Sequence, residues 1–241
     1  ALIGMYADGM INKFFFIRYN DPEYHLRLRF LTPVENVKAV IERVQRALLY
    51  YTANNFIWKM QIDTYMRETD RYGEATIDFS ESVFEIDSNY FIDVLPLLGE
   101  NYAGLAPLFF IKGIDSMLTA FGYDLESKYR LLEQKKRSYE QEFRVHENFA
   151  LKSSLDKKEK EYRKIAEDFL QKGADNNQLG IFYEALYKRE LALQQLIEQN
   201  KHLLQAGTIG SLVNSFVHMH AIRMFQANPR ENELVGYYIL Y

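Results

Sequence analysis

Residues 23–30, EYHLRLRF, alternate basic and apolar side chains, and this pattern decides the fold expected for the first third of the chain. Successive side chains of a β-strand point to opposite faces of its sheet. A strand here therefore sends two leucines and a phenylalanine to one face, where they can bury against a core. From residue 25 onward, the other face carries His25, Arg27 and Arg29, with no acidic residue between them. We expect this face either to pair with acids on neighbouring elements or to bind an anion.

The composition describes a folded, acidic protein. Its 241 residues are 48% hydrophobic and carry a formal net charge of -4, so we expect a sizeable core and a locally built anion site. The absence of cysteine excludes disulfides, thiolate catalysis and thiolate metal sites. We find no apolar run of about 20 residues and no secretory signal at the start. We therefore expect a cytoplasmic protein that binds neither a membrane nor, directly, nucleic acid.

The chain is predicted to form one α+β domain, residues 1–241, with a sheet-rich part (1–80) and a helical part (81–241). Residues 13–21 are rich in aromatic side chains and end at the turn signal Asp21-Pro22. They can pair with residues 25–30, so a small mixed or antiparallel sheet is expected. Apolar side chains recur at helical spacing in residues 34–51. Among the later helices, residues 126–172 are highly charged and predict a solvated hairpin. The apolar stripe of residues 179–204 predicts either core packing or a homodimer interface.

The arginines of the predicted sheet are the first candidate site. A guanidinium binds a carboxylate bidentately and stays charged at any working pH. Arg27 and Arg29 would lie roughly 7 Å apart on one strand face, which suits a ligand with two carboxylates. A third strand is predicted over residues 56–68, FIWKMQIDTYMRE, and it places Arg67 on its polar face. Arg67 would close the clamp if the two strands are neighbours.

Two histidines of residues 215–223, SFVHMHAIR, are the second candidate. On a helix, His218 and His220 point about 200° apart, so they cannot share one metal ion. A polar stripe on this helix ends in His218, which suits a cavity wall; the alternative is a hydrogen-bonded core histidine. His220 is interpreted as structural. The sequence has no Walker loop, GxGxxG, GxSxG or HExxH motif, and we predict neither a metal nor a cofactor.

Three stretches together resemble one known family: FFFIRYNDPEYHLRLRF (residues 14–30), QIDTYMRETDRYG (61–73) and SFVHMHAIRMF (215–225). They resemble, in the same order, motifs of the C-terminal elimination domain of lantibiotic dehydratases, also called the thiopeptide-type bacteriocin biosynthesis domain. The resemblance spans essentially the whole chain, and its first two motifs are quite specific.

The resemblance implies a lyase step in lanthipeptide or thiopeptide biosynthesis. In that family, serine and threonine of a precursor peptide are first esterified with glutamate from glutamyl-tRNA. The elimination domain then expels glutamate and leaves dehydroalanine or dehydrobutyrine. By motif, the implied catalytic residues are Arg29, Arg67 and His218, and the implied substrate-binding residues are Arg27 and His25. Arginines would stabilise the charge that develops on the leaving glutamate, and a neutral imidazole suits proton transfer or orientation of the leaving group.

Three positions depart from the family pattern. Ile222 stands where we expect asparagine, and Gln226 and Glu74 stand where we expect glycine. These positions flank the implied site residues, so they affect the subfamily more than the family. The length of the chain leaves no room for a glutamylation region. The expected partners are therefore a glutamylated precursor peptide and a tRNA-dependent glutamylation subunit or domain.

Two other functions stay open at this stage. The same fold serves thiopeptide pyridine synthases, which join two dehydroalanines in a [4+2] cyclisation; the arginine set of this chain favours elimination over that reaction. The second alternative is a non-catalytic module that binds a precursor peptide along a sheet edge. A pure binding module has no need for convergent arginines.

Overall fold

A computed structural model describes residues 2–171, 179–204 and 206–240. Two strands form near the start of the chain, β1 (Lys13–Tyr19) and β2 (His25–Leu31). The α-helices of the described residues are α1 (Leu2–Ala7), α2 (Val37–Ala53), α3 (Thr69–Tyr72), α4 (Ile77–Leu98), α5 (Tyr102–Ala120), α6 (Leu125–Glu142), α7 (Phe149–Gln171), α8 (Gly180–Gln199), α9 (Ala206–Met224) and α10 (Pro229–Leu240). The α+β class and the sheet in the first third of the chain are confirmed.

The two strands form an antiparallel pair that separates the basic and apolar side chains as predicted. Across the ladder, Tyr19 lies opposite His25, Ile17 opposite Arg27, and Phe15 opposite Arg29. Since directly opposed residues share a face of the sheet, the basic side chains share theirs with apolar residues of β1. β1 is buried against α4 and α9. β2 lies farther out and keeps Leu26 55% exposed.

The predicted third strand is wrong. Residues 56–68 form no strand, and the sheet of the described residues contains only β1 and β2. Trp58 is 74% exposed, and Ile62 and Met66 are also exposed. Alternation specifies which side chains share a side of an extended chain; a strand also needs a neighbouring edge to receive its N–H and C=O groups. Neither β1 nor β2 pairs with residues 56–68.

The helical part packs around α4. This helix contacts α8, α9 and β1, and α5 packs on α8 and α9. The apolar side of α8 is buried there through Phe182, Leu186 and Leu193. The stripe of residues 179–204 is therefore core, and it lends no support to a homodimer. Of the charged residues 126–172, those that the structure describes, 126–171, lie mostly in α6 and α7, whose outer faces are exposed as predicted.

One stretch, within Ile77–Ala120, is long and apolar enough to cross a membrane by length and composition alone. The search of the sequence for apolar runs missed it. A core helix of a soluble protein passes the same test, and α4 and α5 supply many of the core residues.

A buried ionic cluster joins the sheet to the helices. Asp87 of α4 accepts hydrogen bonds from Arg189 (3.0 Å) and Arg223 (3.2 Å), and its Oδ1 lies 2.9 Å from Nδ1 of His220. Arg223 also donates to the backbone oxygen of Phe16 in β1 (2.9 Å). These guanidiniums and the imidazole hold the pKa of Asp87 far below its usual range against the opposing effect of burial. His220 is thus structural, as interpreted from the sequence, and the cluster fixes β1 against α4 and α9.

Acidification is expected to destabilise the protein through His220. Burial lowers the pKa of this imidazole, so the unfolded chain binds a proton at pH values where the folded chain does not. The free energy of unfolding should therefore fall as pH drops below about 6.5, with a slope approaching about 1.4 kcal/mol per pH unit. Urea unfolding at pH 7, 6 and 5 measures this slope. In His220→Asn the slope should flatten; an unchanged slope would assign it to another group.

Candidate active site

A cavity of about 440 Å³ opens on the basic face of the sheet. β1 contributes Phe15, Ile17 and Tyr19, and β2 contributes Arg27 and Arg29. A further wall comes from the segment that precedes α3, through residues 63–66 and Glu68. Phe84 of α4 and Met219 of α9 complete the lining. The cavity is therefore built where the sheet, the 63–68 segment and two core helices meet.

Arg27 is held by two neighbours on its own face of the hairpin. Its guanidinium lies 3.8 Å from the centre of the Tyr19 ring, and its Nε donates to Nε2 of His25 at 2.9 Å. Nδ1 of His25 lies 2.8 Å from the carbonyl oxygen of Glu23 and must donate to it. This contact fixes the tautomer in which Nε2 is free to accept from Arg27. His25 therefore orients Arg27.

Arg29 is partly buried beside a tyrosine. Its guanidinium lies 5.1 Å from the centre of the Tyr65 ring. Its Nε is buried and has no hydrogen-bond partner among the described residues. Burial, and secondarily the neighbouring charge of Arg27, lowers the pKa of Arg29. Two cations on one strand face, one of them with an unmatched donor, are suited to an anionic ligand.

Acids lie near these arginines without neutralising them. Within the described residues, no carboxylate is within ion-pairing distance of Arg27 or Arg29. Asp63 and Glu68 line the same cavity. Asp63 accepts from the backbone N–H of Thr64 (2.7 Å), and Glu68 lies 3.8 Å from Arg71. The cavity thus presents both signs of charge.

Arg67 does not line the cavity. Its Nε and Nη2 donate to the two carboxylate oxygens of Glu81, at 2.8 and 2.9 Å, and Nη2 also donates to Asp78. These two acids raise the pKa of Arg67. Glu81 itself is only 8% exposed. The guanidinium fork is therefore occupied by a protein carboxylate.

His218 also lies outside the lining of the cavity. Its side chain is 20% exposed, and Nδ1 lies 2.7 Å from Oε2 of the fully buried Glu233 of α10. The other oxygen of Glu233 accepts from the Tyr237 hydroxyl (2.9 Å). A carboxylate that binds Nδ1 fixes the ring orientation and leaves Nε2 for other contacts. The next residue, Met219, does line the cavity.

The structure thus brings together His25, Arg27 and Arg29, and it places Arg67 and His218 in separate contacts. The catalytic and substrate-binding roles of all five residues remain predictions. Of the described residues, no group of three or more His, Asp and Glu could hold a metal ion.

Sequence reasoning missed Tyr19, Tyr65, Glu81 and Glu233. Tyr65 could have been chosen from the sequence, because the predicted period-two alternation places it on the same side as Arg67. Glu81 and Glu233 carried a second signal, because an acid among the apolar residues of a buried helix requires a partner.

Comparison with known proteins places this chain in a family. The family model for the C-terminal part of the lantibiotic biosynthesis dehydratases matches residues 1–241. The chain is 23% identical over 234 residues to the epidermin biosynthesis protein EpiB of Staphylococcus epidermidis, covering 95% of this chain and 22% of that protein. It is 25% identical over 235 residues to the subtilin biosynthesis protein SpaB of Bacillus subtilis, covering 92% and 21%.

A similar fold occurs in the tRNA-dependent lantibiotic dehydratase MibB from Microbispora sp. 107891. The TM-score is 0.70 at 20% identity, and the match covers 99% of this chain and 25% of that one. The chain therefore spans a quarter or less of each of these proteins. Since the family model matches its whole length, the chain belongs to the family of lantibiotic biosynthesis dehydratase C-terminal domains.

Proposed function

We propose that this chain is a lyase that eliminates glutamate from glutamylated serine and threonine of a ribosomal precursor peptide, giving dehydroalanine and dehydrobutyrine. Family membership supports a role in dehydration of such peptides. The observation that carries the proposal is the pair Arg27 and Arg29, which line one cavity without a carboxylate partner among the described residues.

The elimination requires a base for the α-proton and stabilisation of the charge on the leaving oxygen. A base removes the α-proton of the esterified residue, the electron pair forms the Cα=Cβ bond, and the Cβ–O bond breaks to release glutamate as a carboxylate. The leaving carboxylate gains a full charge during this step. Arginines that contact it stabilise the transition state more than the ester. Arg29, with its unmatched Nε, is the residue proposed for this role.

The mixed charge of the cavity fits the glutamyl group itself. An amino acid delivered by tRNA is esterified through its α-carboxyl group, so it keeps a free ammonium and a side-chain carboxylate. One arginine can hold that side-chain carboxylate while the other meets the departing one. Asp63 and Glu68 are available to the ammonium.

His218 is proposed to take part in proton transfer, since imidazole is the side chain that most often serves as a general acid or base. Glu233 would fix its orientation through Nδ1. For Nε2 to reach the substrate, the bound peptide must extend beyond the cavity toward α9. Arg27 and His25 are proposed to bind the substrate as one hydrogen-bonded unit.

The proposed partners are a glutamylated precursor peptide and a glutamylation subunit or domain that uses glutamyl-tRNA. The name of MibB describes it as tRNA-dependent, and this chain matches only a quarter of it. We propose that the reaction takes place in the cytoplasm and needs no cofactor, with no direct contact to nucleic acid or membrane.

Separate incubations with two synthetic peptides test this proposal. Chromatography of the first mixture, which contains a glutamylated peptide, should show release of free glutamate. The second mixture contains a peptide with two dehydroalanines, which should remain unchanged. The opposite pattern, an intact ester with a cyclised second peptide, would replace the proposal by pyridine synthesis. Tight binding of peptide without either reaction would leave the non-catalytic binding module as the remaining alternative.

A further inference from the structure

Backbone pairing supports one wall of the cavity only at its end, where the carbonyl oxygens of Arg67 and Glu68 accept from residues of α3. Asp63, Thr64, Tyr65, Met66 and Glu68 line the cavity, yet this segment is neither helix nor strand. The backbone of residues 58–66 takes part in no backbone–backbone hydrogen bond with described residues. Residues 63–66 therefore depend on side-chain contacts for their position against the cavity.

Two side-chain anchors hold the wall. The Tyr65 ring packs edge-to-face on Phe15 of β1, with ring centres 5.6 Å apart. Two residues later, Arg67 reaches α4 through the bidentate pair with Glu81. Helix α4 packs against α8, α9 and β1, so Arg67 connects this segment to the centre of the core. Together the anchors set the ring of Tyr65 beside Arg29.

We infer that Arg67 is a positioning residue, whose ion pair with Glu81 fixes the 63–68 wall so that Tyr65 and Arg29 keep the geometry of the cavity. Arg67 itself does not touch the substrate. The inference rests on the proposed function and assigns Arg67 a different role from that implied by its motif. A direct role would require Arg67 to leave Glu81, and a nearly buried carboxylate without its partner is costly.

The burial of Tyr65 agrees with this arrangement. Burial, with the carboxylates of Glu81 and Glu68 nearby, raises the pKa of Tyr65 to about 12. The phenol therefore stays neutral at working pH. It acts as a wall that stacks on Arg29 and leaves the charge of the arginine available to the ligand.

A double-mutant cycle on kcat/KM for elimination tests the inference. Arg67→Ala and Glu81→Gln should each lower kcat/KM by up to about 10²-fold, the effect of a misplaced site. The double variant should be no worse than the poorer single variant, because both changes remove the same contact. Unchanged activity of Glu81→Gln, or additive losses, would show that Arg67 acts directly and overturn the inference.

A second readout needs no catalytic activity. Trp58 is the only tryptophan of the chain and lies on the same unpaired segment, so its fluorescence anisotropy reports how firmly the segment is held. Anisotropy should fall in Arg67→Ala and in Glu81→Gln, and it should stay constant in Arg130→Ala, which breaks an exposed pair with Glu126 on α6. Circular dichroism melting would verify that the variants are folded.

The two readouts separate this inference from the proposed function. A wild-type chain that eliminates nothing would refute the proposed function, while the anisotropy still decides whether Arg67 holds the wall. A wild-type chain that eliminates glutamate, with unchanged anisotropy in both variants, would overturn the positioning role alone.

Discussion

Arg29→Ala is expected to slow glutamate elimination by about 10²–10³-fold, the usual loss when one stabiliser of a developing oxyanion is removed. The glutamyl ester should accumulate on the peptide, because the departing carboxylate loses the guanidinium that lines its cavity. Release of glutamate under single-turnover conditions measures the effect. Arg29→Lys should recover part of the rate, since it restores a charge without the planar fork.

The matched control for Arg29 is Arg163→Ala. Arg163 is exposed on α7 and pairs with Glu159 one turn away. Helix α7 packs mainly against α10 and α5, away from the sheet. This variant should eliminate at the wild-type rate. If Arg29→Ala also kept that rate, the cavity would not be the place where the leaving carboxylate forms.

Asp87→Ala is expected to reduce the free energy of unfolding by about 3–5 kcal/mol, the usual cost of leaving buried charges without their partner. The change removes the one carboxylate that Arg189, His220 and Arg223 share. It also loosens β1, because Arg223 donates to the backbone of Phe16 from the same cluster. Urea unfolding followed by far-ultraviolet circular dichroism measures the loss.

Asp93→Ala is the matched control, because Asp93 lies on the same helix and is exposed. A surface substitution of this kind should change stability by no more than about 0.5 kcal/mol. If the two variants were equally stable, the buried cluster would not hold the sheet to the helices.

The sequence predicted those parts of the fold whose information is local. Period-two alternation in residues 23–30 predicted β2 and the basic face, and the Asp21–Pro22 turn predicted its partner strand. The same alternation in residues 56–68 predicted a strand that does not form. A pattern of side chains says nothing about the presence of a free neighbouring edge, which depends on how the rest of the chain folds.

The same difference between local and long-range information separates the residues of the candidate site. His25, Arg27 and Arg29 come together because they share one strand, so alternation alone groups them. The contacts of Arg67 and His218 depend instead on Glu81 and Glu233, which other helices deliver. No local pattern specifies those pairings.

The ionic cluster joins residues that lie far apart in the sequence. Asp87 binds arginines that are 102 and 136 residues away in sequence. An aspartate within the apolar stretch VFEIDSNYF, residues 83–91, does signal that a cation must join it. The sequence leaves open which of its 29 lysines and arginines does so.

Mass spectrometry of a glutamylated serine peptide after incubation with this chain tests the central claim most directly. Elimination should leave the modified residue lighter than serine by one water, with one free glutamate for each residue converted. Recovery of unmodified serine with the same amount of glutamate would indicate hydrolysis of the ester. That result, or an ester that persists unchanged, would contradict the proposed elimination.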